Sequence, residues 1–324
     1  MKVYLREYGA VIVVVTIILI MLLLGKTVYA KEIHNAILGS TSNIMAVGKD
    51  IGANEVLREP KANAGDVLDI EGSKYIVIEK KGASTYLLLS GKSIGNIQYQ
   101  PNQDDDGNYK IGVSETPNSK RYDGKSSNTY EGSFIDNYLE NTWYQDLPSS
   151  LKNAIQSTEI TQKTWGYKSA NTKWKYYRPE GESKMNWYYN EGTDSNPKWV
   201  IYHKANVPND ESGAYPYEYW SQSGVESEAI TRHVFLPNVE EISNLVDLNN
   251  ANKVYEFLKG TNNSLGNMIL RDKRPASRYA IGILSTSRSI HHCDVTNTWS
   301  GVRPAFTVDL SKVDYTETGH ITIQ

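Results

Sequence analysis

Residues 65–90 read GDVLDIEGSKYIVIEKKGASTYLLLS. Two runs in this stretch, Tyr75-Ile76-Val77-Ile78 and Tyr86-Leu87-Leu88-Leu89, are apolar, with Lys81-Gly82-Ala83-Ser84 between them. Apolar runs on either side of a short glycine-containing loop predict a β-hairpin. Val67-Leu68-Asp69-Ile70 leads into it, after a polar linker at residues 61–65. A folded domain therefore opens here. Downstream, residues 99–128 are polar and glycine-dotted, which predicts loop. Asn102, Asp104, Asp106 and Gly107 follow the first half of a calcium loop, but Val113 stands where the closing glutamate belongs. Asp106-Gly107 is more simply a turn between two short strands.

Upstream, residues 9–25 read GAVIVVVTIILIMLLLG, interrupted only by Thr16 and free of charge. A membrane-spanning helix needs about 20 mostly apolar residues, with a lower limit near 17. Lys2 and Arg6 precede the run, which directs the short N-terminus to the cytoplasm and the rest outside. The expected partner is the lipid bilayer, through residues 9–25, as a single-pass anchor in the cell membrane. Val28-Tyr29-Ala30 also fits a signal-peptidase site, and cleavage after Ala30 would give a secreted protein. The run is longer than a typical signal-peptide core, which favours retention. Beyond it Ile33, Ile37, Ile44, Val47 and Ile51 fall 4, 7, 3 and 4 apart, on one face of a helix. The expected organisation is a cytoplasmic tip and transmembrane helix over 1–30, an extracellular helical stalk over 31–60 and an ectodomain over 61–324. Homo-assembly would run through the N-terminal helix. The start Arg6-Glu7-Tyr8-Gly9 resembles that of tight-adherence pilins, with Lys2 where their processing glycine would stand.

The chain has 324 residues and a formal net charge of −3. That near-neutral balance argues against nucleic acid as a partner, since such binders show a basic face. Tyr is used 23 times and Phe 4 times, a choice suited to half-wet surfaces. The single cysteine, Cys293, excludes an internal disulfide.

Within 134–157, Ile135, Tyr138, Leu139, Leu147, Leu151 and Ile155 recur near helical spacing, and Pro148 suits the first turn of a second helix. An aromatic-rich insertion follows over about 160–225. It holds Trp165, Trp174, Trp187, Trp199 and Trp220 with many tyrosines, among Gly, Ser, Asn, Lys and Glu. Such a mixture suits a binding surface. It also suits an added β-sheet with inward rings, since Trp174-Lys175-Tyr176 and the residues 198–202 alternate as strands. Trp187, Tyr188 and Tyr189 are its candidate ligand-facing residues. Asn238 is placed to cap a helix over 239–248, with Glu240 and Glu241 in its first turn. A further helical turn over 254–259 ends at Gly260, and strands are expected at 267–271, 279–285 and 302–308.

Four stretches now stand in order: residues 65–90, 134–155 (FIDNYLENTWYQDLPSSLKNAI), 233–245 (HVFLPNVEEISNL) and 268–310, which ends in GVRPAFTVDL. This order resembles an uncharacterised bacterial surface-domain family related to the C-type-lectin-like fold of formylglycine-generating enzymes and phage tropism determinants. The resemblance implies an α+β fold class: a mixed domain of short strands, two or more helices and large loops behind the transmembrane helix. It also implies that Arg303 is buried, internally paired and structural. The enzymes of that fold use a copper-binding cysteine pair, which a chain with only Cys293 lacks.

His291-His292-Cys293-Asp294 is the one cluster of metal-type ligands. Neighbours on an extended chain point to opposite faces, and neither a metal nor a Cys–His nucleophile pair is expected. No catalytic residue or cofactor is assigned. Residues 285–298, STSRSIHHCDVTNT, lack Lys, Glu, Gln and Met. In tropism determinants of the resembled fold, the segment before the closing strand is the diversified ligand surface. The resemblance therefore implies that Arg288, Ile290, His291, His292, Asp294, Thr296 and Trp299 face a ligand. The expected function is membrane-anchored recognition of a surface protein or glycan without catalysis. A pilin-like structural subunit is the first alternative. A carbohydrate-active or modifying enzyme is the second, and it would need a carboxylate pair or metal site.

Overall fold

The computed structural model describes residues 60–167, 174–177, 180–181, 186–201, 217 and 220–321. The chain divides after residue 58, and all described residues belong to the second unit, Glu59–Gln324. The strands begin with β1 (Asp66–Ile70), β2 (Ser73–Lys80) and β3 (Thr85–Ser90). Helix α1 (Phe134–Tyr138) runs into a π-helical turn (Leu139–Trp143), and α2 (Ser149–Ala154) follows. Then come β4 (Ile155–Gln156), β5 (Thr158–Ile160), β6 (Trp165–Tyr167), β7 (Trp174–Tyr177), β8 (Asn186–Asn190), β9 (Trp199–Ile201), β10 (Trp220–Gln222) and β11 (Ile230–Arg232). Helices α3 (Val239–Ser243) and α4 (Ala251–Lys259) precede β12 (Asn267–Lys273), β13 (Tyr279–Leu284), β14 (Ser289–Asp294), β15 (Ser300–Gly301), β16 (Ala305–Asp309) and β17 (Thr316–His320).

The hairpin expected from residues 74–89 is the β2–β3 pair, with Val77 opposite Leu88. Its apolar runs are continuous because the central strands are buried on both faces. β1 and β2 are joined by Glu71-Gly72, both at positive φ, a turn whose twist matches that of the strands. Asp69 Oδ1 accepts the Gly72 N–H at 2.8 Å and closes that turn. These strands form the middle of a six-stranded sheet ordered β17-β1-β2-β3-β16-β4. A second sheet runs β14-β13-β12-β15, and smaller ribbons pair β10 with β6, β11 with β5, and β7-β8-β9.

Strand β12 places two charged side chains in the interior. Arg271 holds Glu241 through two hydrogen bonds of 2.8 Å and donates to the carbonyls of Thr161 and Leu236. Asp272 accepts from Trp165 Nε1, Val239 N and Lys163 N. Gln162 Nε2 donates to Tyr99 Oη and to the carbonyls of Asn128 and Arg271. Buried polar groups must be paired, and here the pairing fixes loops far apart in sequence.

The α+β expectation is corrected: the described residues are mostly β-sheet, and their helices are short. The helical pattern over 134–157 is spent on two brief helices and a π-turn. Ile155 leaves the helix with ψ 135° because it pairs with Val308 of β16. Long-range pairing overrides a local period of this length. The expected helix over 239–248 closes at Ser243, although Asn238 does cap it, in a capping box with Glu241. Among the described residues no helix is long and apolar enough to cross a membrane, so the transmembrane helix of the expected fold class is not supported. The segments on which it and the stalk were read, 9–25 and 31–60, lie outside the described residues except for Pro60.

Candidate functional site

The β13–β14 hairpin carries Arg288, Ile290, His291, His292 and Asp294 of the residues expected to face a ligand, with Tyr279 opposite Asp294 and Ile283 opposite Ile290. Ile290 is fully buried in the core, so it cannot face a ligand. Cys293 lies beside Gly282, where an added Cβ would stand 2.8 Å from its sulfur. Burial pushes the Cys293 thiol up to about 12, which makes it inert as a nucleophile at neutral pH. His291 and His292 are half-buried and stack on each other with ring centroids 4.4 Å apart. Tyr279 meets His292 edge-on at 4.9 Å. Arg288 lies over the Tyr255 ring of α4 at 4.4 Å and is half-buried. Among the described residues, no three His, Cys, Asp or Glu side chains converge on a possible metal position.

Thr296 is also corrected. It is 1 % exposed, and its hydroxyl donates to the Glu115 carbonyl at 2.6 Å. It rivets the 294–299 turn to the loop at 110–116 instead of meeting a ligand. Gln98 drives in a second rivet: its Nε2 donates to the Val113 and Thr296 carbonyls at 2.9 and 2.6 Å. Its Oε1 accepts from Gly112 N at 2.6 Å. Asn102 repeats the device one turn away, donating to the Thr116 carbonyl and accepting from Asn118 N.

These stitched loops hold large apolar side chains in water. Ile111 is 61 % exposed, Val113 48 % and Trp299 48 %. Asp294, on the same turn as Trp299, is also exposed. Of the expected residues, the structure therefore leaves Asp294 and Trp299 open to a ligand. It joins their turn to a loop bearing Ile111 and Val113, which reading the sequence missed. Their signal was present: two aliphatic residues in a polar, glycine-dotted loop that has no apolar periodicity to explain them.

The insertion residues are elsewhere. Trp187, Tyr188 and Tyr189 lie on β8, opposite Tyr176, Lys175 and Trp174 of β7. Tyr188 is buried, at 7 % exposure, and so is not a ligand-facing residue. Tyr189 is half-buried, and the side chain of Trp187 lies outside the described set.

One hydrogen-bonded chain has the order of an acyl-transfer triad. Ser157 Oγ lies 3.0 Å from His233 Nε2, and His233 Nδ1 lies 2.6 Å from Glu140 Oε1. Its position explains it structurally. Ser157 and His233 stand next in sequence to Thr158 and Arg232, the pair that ends the β5–β11 ladder. Glu140 also accepts from His233 N, clamping the strand end to the π-turn, and Tyr144 stacks on the imidazole at 4.6 Å. A wide hollow of about 560 Å³ lies near Glu71, Ser150, Lys312 and Tyr315, where charges of both signs meet in the open.

Residues 85–179 match a family described as a domain of unknown function, DUF6273. The match covers less than half of the chain and includes the loop with Ile111 and Val113, but not the turn with Trp299. No curated protein and no solved structure matches the chain.

Proposed function

We propose that this protein recognises a ligand outside the cytoplasm, a surface protein or a glycan, without catalysing a reaction on it. The observation that carries this reading is the exposure of Ile111, Val113 and Trp299 on two loops locked together by Gln98 and Thr296. Large apolar side chains held in water are a standing cost of roughly 25 cal/mol per Å² that a partner's surface relieves. Loops already fixed by internal hydrogen bonds lose little entropy on binding. Tryptophan is among the residues most enriched at interface hot spots. Ile111 and Val113 favour a protein, since sugar rings stack on flat aromatic faces and gain less from branched aliphatics. The apolar run at 9–25 behind Lys2 and Arg6 supports export. The resemblance of the ordered stretches ending at residues 301–306 to a surface-domain family supports the same class of role.

The test immobilises the full chain and offers it cell-surface protein extracts and a glycan array. A protein ligand should bind the parent chain and bind Trp299→Ala and Ile111→Asp about tenfold more weakly or worse, with unchanged thermal midpoints. A glycan lost on Trp299→Ala but not on Ile111→Asp would make sugar the ligand class. Binding that ignores both substitutions, or no binding at all, would sink the proposal.

A further inference from the structure

A serine hydroxyl is a weak nucleophile at neutral pH and becomes an effective one when a fixed base takes its proton. Ser157, His233 and Glu140 stand in that order at the end of the β5–β11 ladder. Strand pairing accounts for Ser157 and His233 being neighbours. The clamp on the strand end needs only Glu140 Oε2, which accepts His233 N at 3.0 Å and Val234 N at 3.3 Å. Neither role requires the imidazole to meet a serine on one side and a carboxylate on the other.

The two ring nitrogens have different tasks. An ionised carboxylate only accepts, so in the neutral ring Nδ1 carries the proton and donates it to Glu140 Oε1 at 2.6 Å. Nε2 is then bare and accepts from the Ser157 hydroxyl at 3.0 Å, within the reach a general base needs. Tyr144 holds the ring in this orientation by stacking on it, with centroids 4.6 Å apart and planes 3° from parallel. Glu140 is fixed by its three bonds to His233 and Val234, and it sits on the π-helical turn Leu139–Trp143. Such turns are rare and recur at functional sites. Ser157 is exposed, while the side chains of His233 and Glu140 are 35 % and 22 % exposed. The base is thus partly shielded and the nucleophile meets solvent. A triad is recognised by this geometry and these roles, not by chain order.

We propose that Ser157 is the nucleophile of an acyl-transfer site that takes small esters from solvent. His233 Nε2 accepts the hydroxyl proton as Ser157 Oγ bonds to the ester carbonyl carbon. The tetrahedral intermediate collapses by breaking the bond to the alkoxy oxygen, which takes the proton from His233 and leaves as the alcohol. The acyl group stays on Ser157. Water then gives a proton to His233 and attacks the acyl carbonyl, and the acid leaves as Ser157 Oγ recovers the proton. Glu140 touches no reacting atom and is a positioning residue. The site uses none of the residues assigned to ligand recognition, so either proposal can fail alone.

The full chain is treated with a fluorophosphonate probe and, separately, with p-nitrophenyl acetate. Peptide mass mapping should place the phosphonyl group on Ser157, and p-nitrophenol should be released faster than by buffer. Ser157→Ala, at an exposed position, should fold and lose both. His233→Gln should label at least about a hundredfold more slowly. Glu140→Gln separates chemistry from clamping. Its amide oxygen stays on the N–H groups of His233 and Val234, so its NH₂ faces Nδ1 and forces the ring proton onto Nε2. Labelling should then fall at least about tenfold at a nearly unchanged thermal midpoint, because the ring is held in the wrong tautomer. No adduct on Ser157, ester hydrolysis undiminished in Ser157→Ala, or labelling at the parent rate in His233→Gln or Glu140→Gln would overturn the proposal.

Discussion

His292 shows how a single side chain reports its surroundings. Burial and the neighbouring His291 and Arg274 pull its imidazole down to about 4 from an ordinary 6.5, and burial lowers His291 as well. A depressed folded-state value means that the folded protein disfavours the proton. Stability from the neutral ring is then complete above about 6.5 and is lost as pH falls toward 4. Asp272 acts in the opposite sense. Burial raises its carboxyl to about 6 against Arg271 and the backbone N–H groups, so its contribution is present at low pH and lost as pH rises through 6. The two overlap, so the histidine is read by difference. The thermal midpoint of the parent should fall relative to that of His292→Gln between pH 6.5 and 4. Parallel profiles would show that His292 carries no linked proton. Asp294 and Trp299 were legible as surface residues at this scale, whereas Ile290, Thr296 and Tyr188 were not. Which side of a strand is covered depends on the layer above it, and that layer comes from elsewhere in the chain.

At the scale of elements, β12 is the strand on which the interior depends. NMILRDK has an apolar start and a charged end, and nothing local says that the charges are buried. They are inside because Glu241 at the start of α3 and the N–H groups of Lys163 and Val239 meet them there. Arg271→Met would leave Glu241 without its counter-charge and take the donor from two carbonyls, and should cost about 3–5 kcal/mol in urea unfolding. A loss below about 1 kcal/mol would mean that the ion pair is replaceable by packing. The cap of α3 was readable because Asn238 directly precedes the helix it caps, within reach of local chemistry, whereas the reciprocal bond from Asn238 N to Glu241 was not read. The end of α2 was not readable, because the partner that draws Ile155 into a strand is Val308.

For the whole molecule, the ends of the described unit meet in one sheet. β17 pairs with β1, placing His320 opposite Asp66, and His320 Nδ1 lies 2.7 Å from Asp66 Oδ1. β17 is itself exposed along its length and acts as a cover for the edge of β1. Removing residues 316–324 would uncover the hydrogen-bonding groups of β1, and an uncovered edge invites another strand. The truncated chain should self-associate in size-exclusion chromatography with light scattering, while the parent at the same concentration shows less. An unchanged oligomeric state would show that β1 is protected by other means.

By itself the sequence determined the features that neighbouring residues settle among themselves: the β2–β3 hairpin, the polar loops after residue 99 and the cap at Asn238. These depend on backbone preference and side chains a few residues apart. The tertiary structure alone decided that Ile111 and Trp299 lie on stitched loops, and that the partners of the buried Arg303 are the carbonyls of Ser90 and Phe257. The groups responsible lie far apart along the chain, Thr296 from Gln98 by 198 residues and Arg303 from Ser90 by 213. Burial, pairing and exposure are properties of what packs together in space, and no short-range pattern records them.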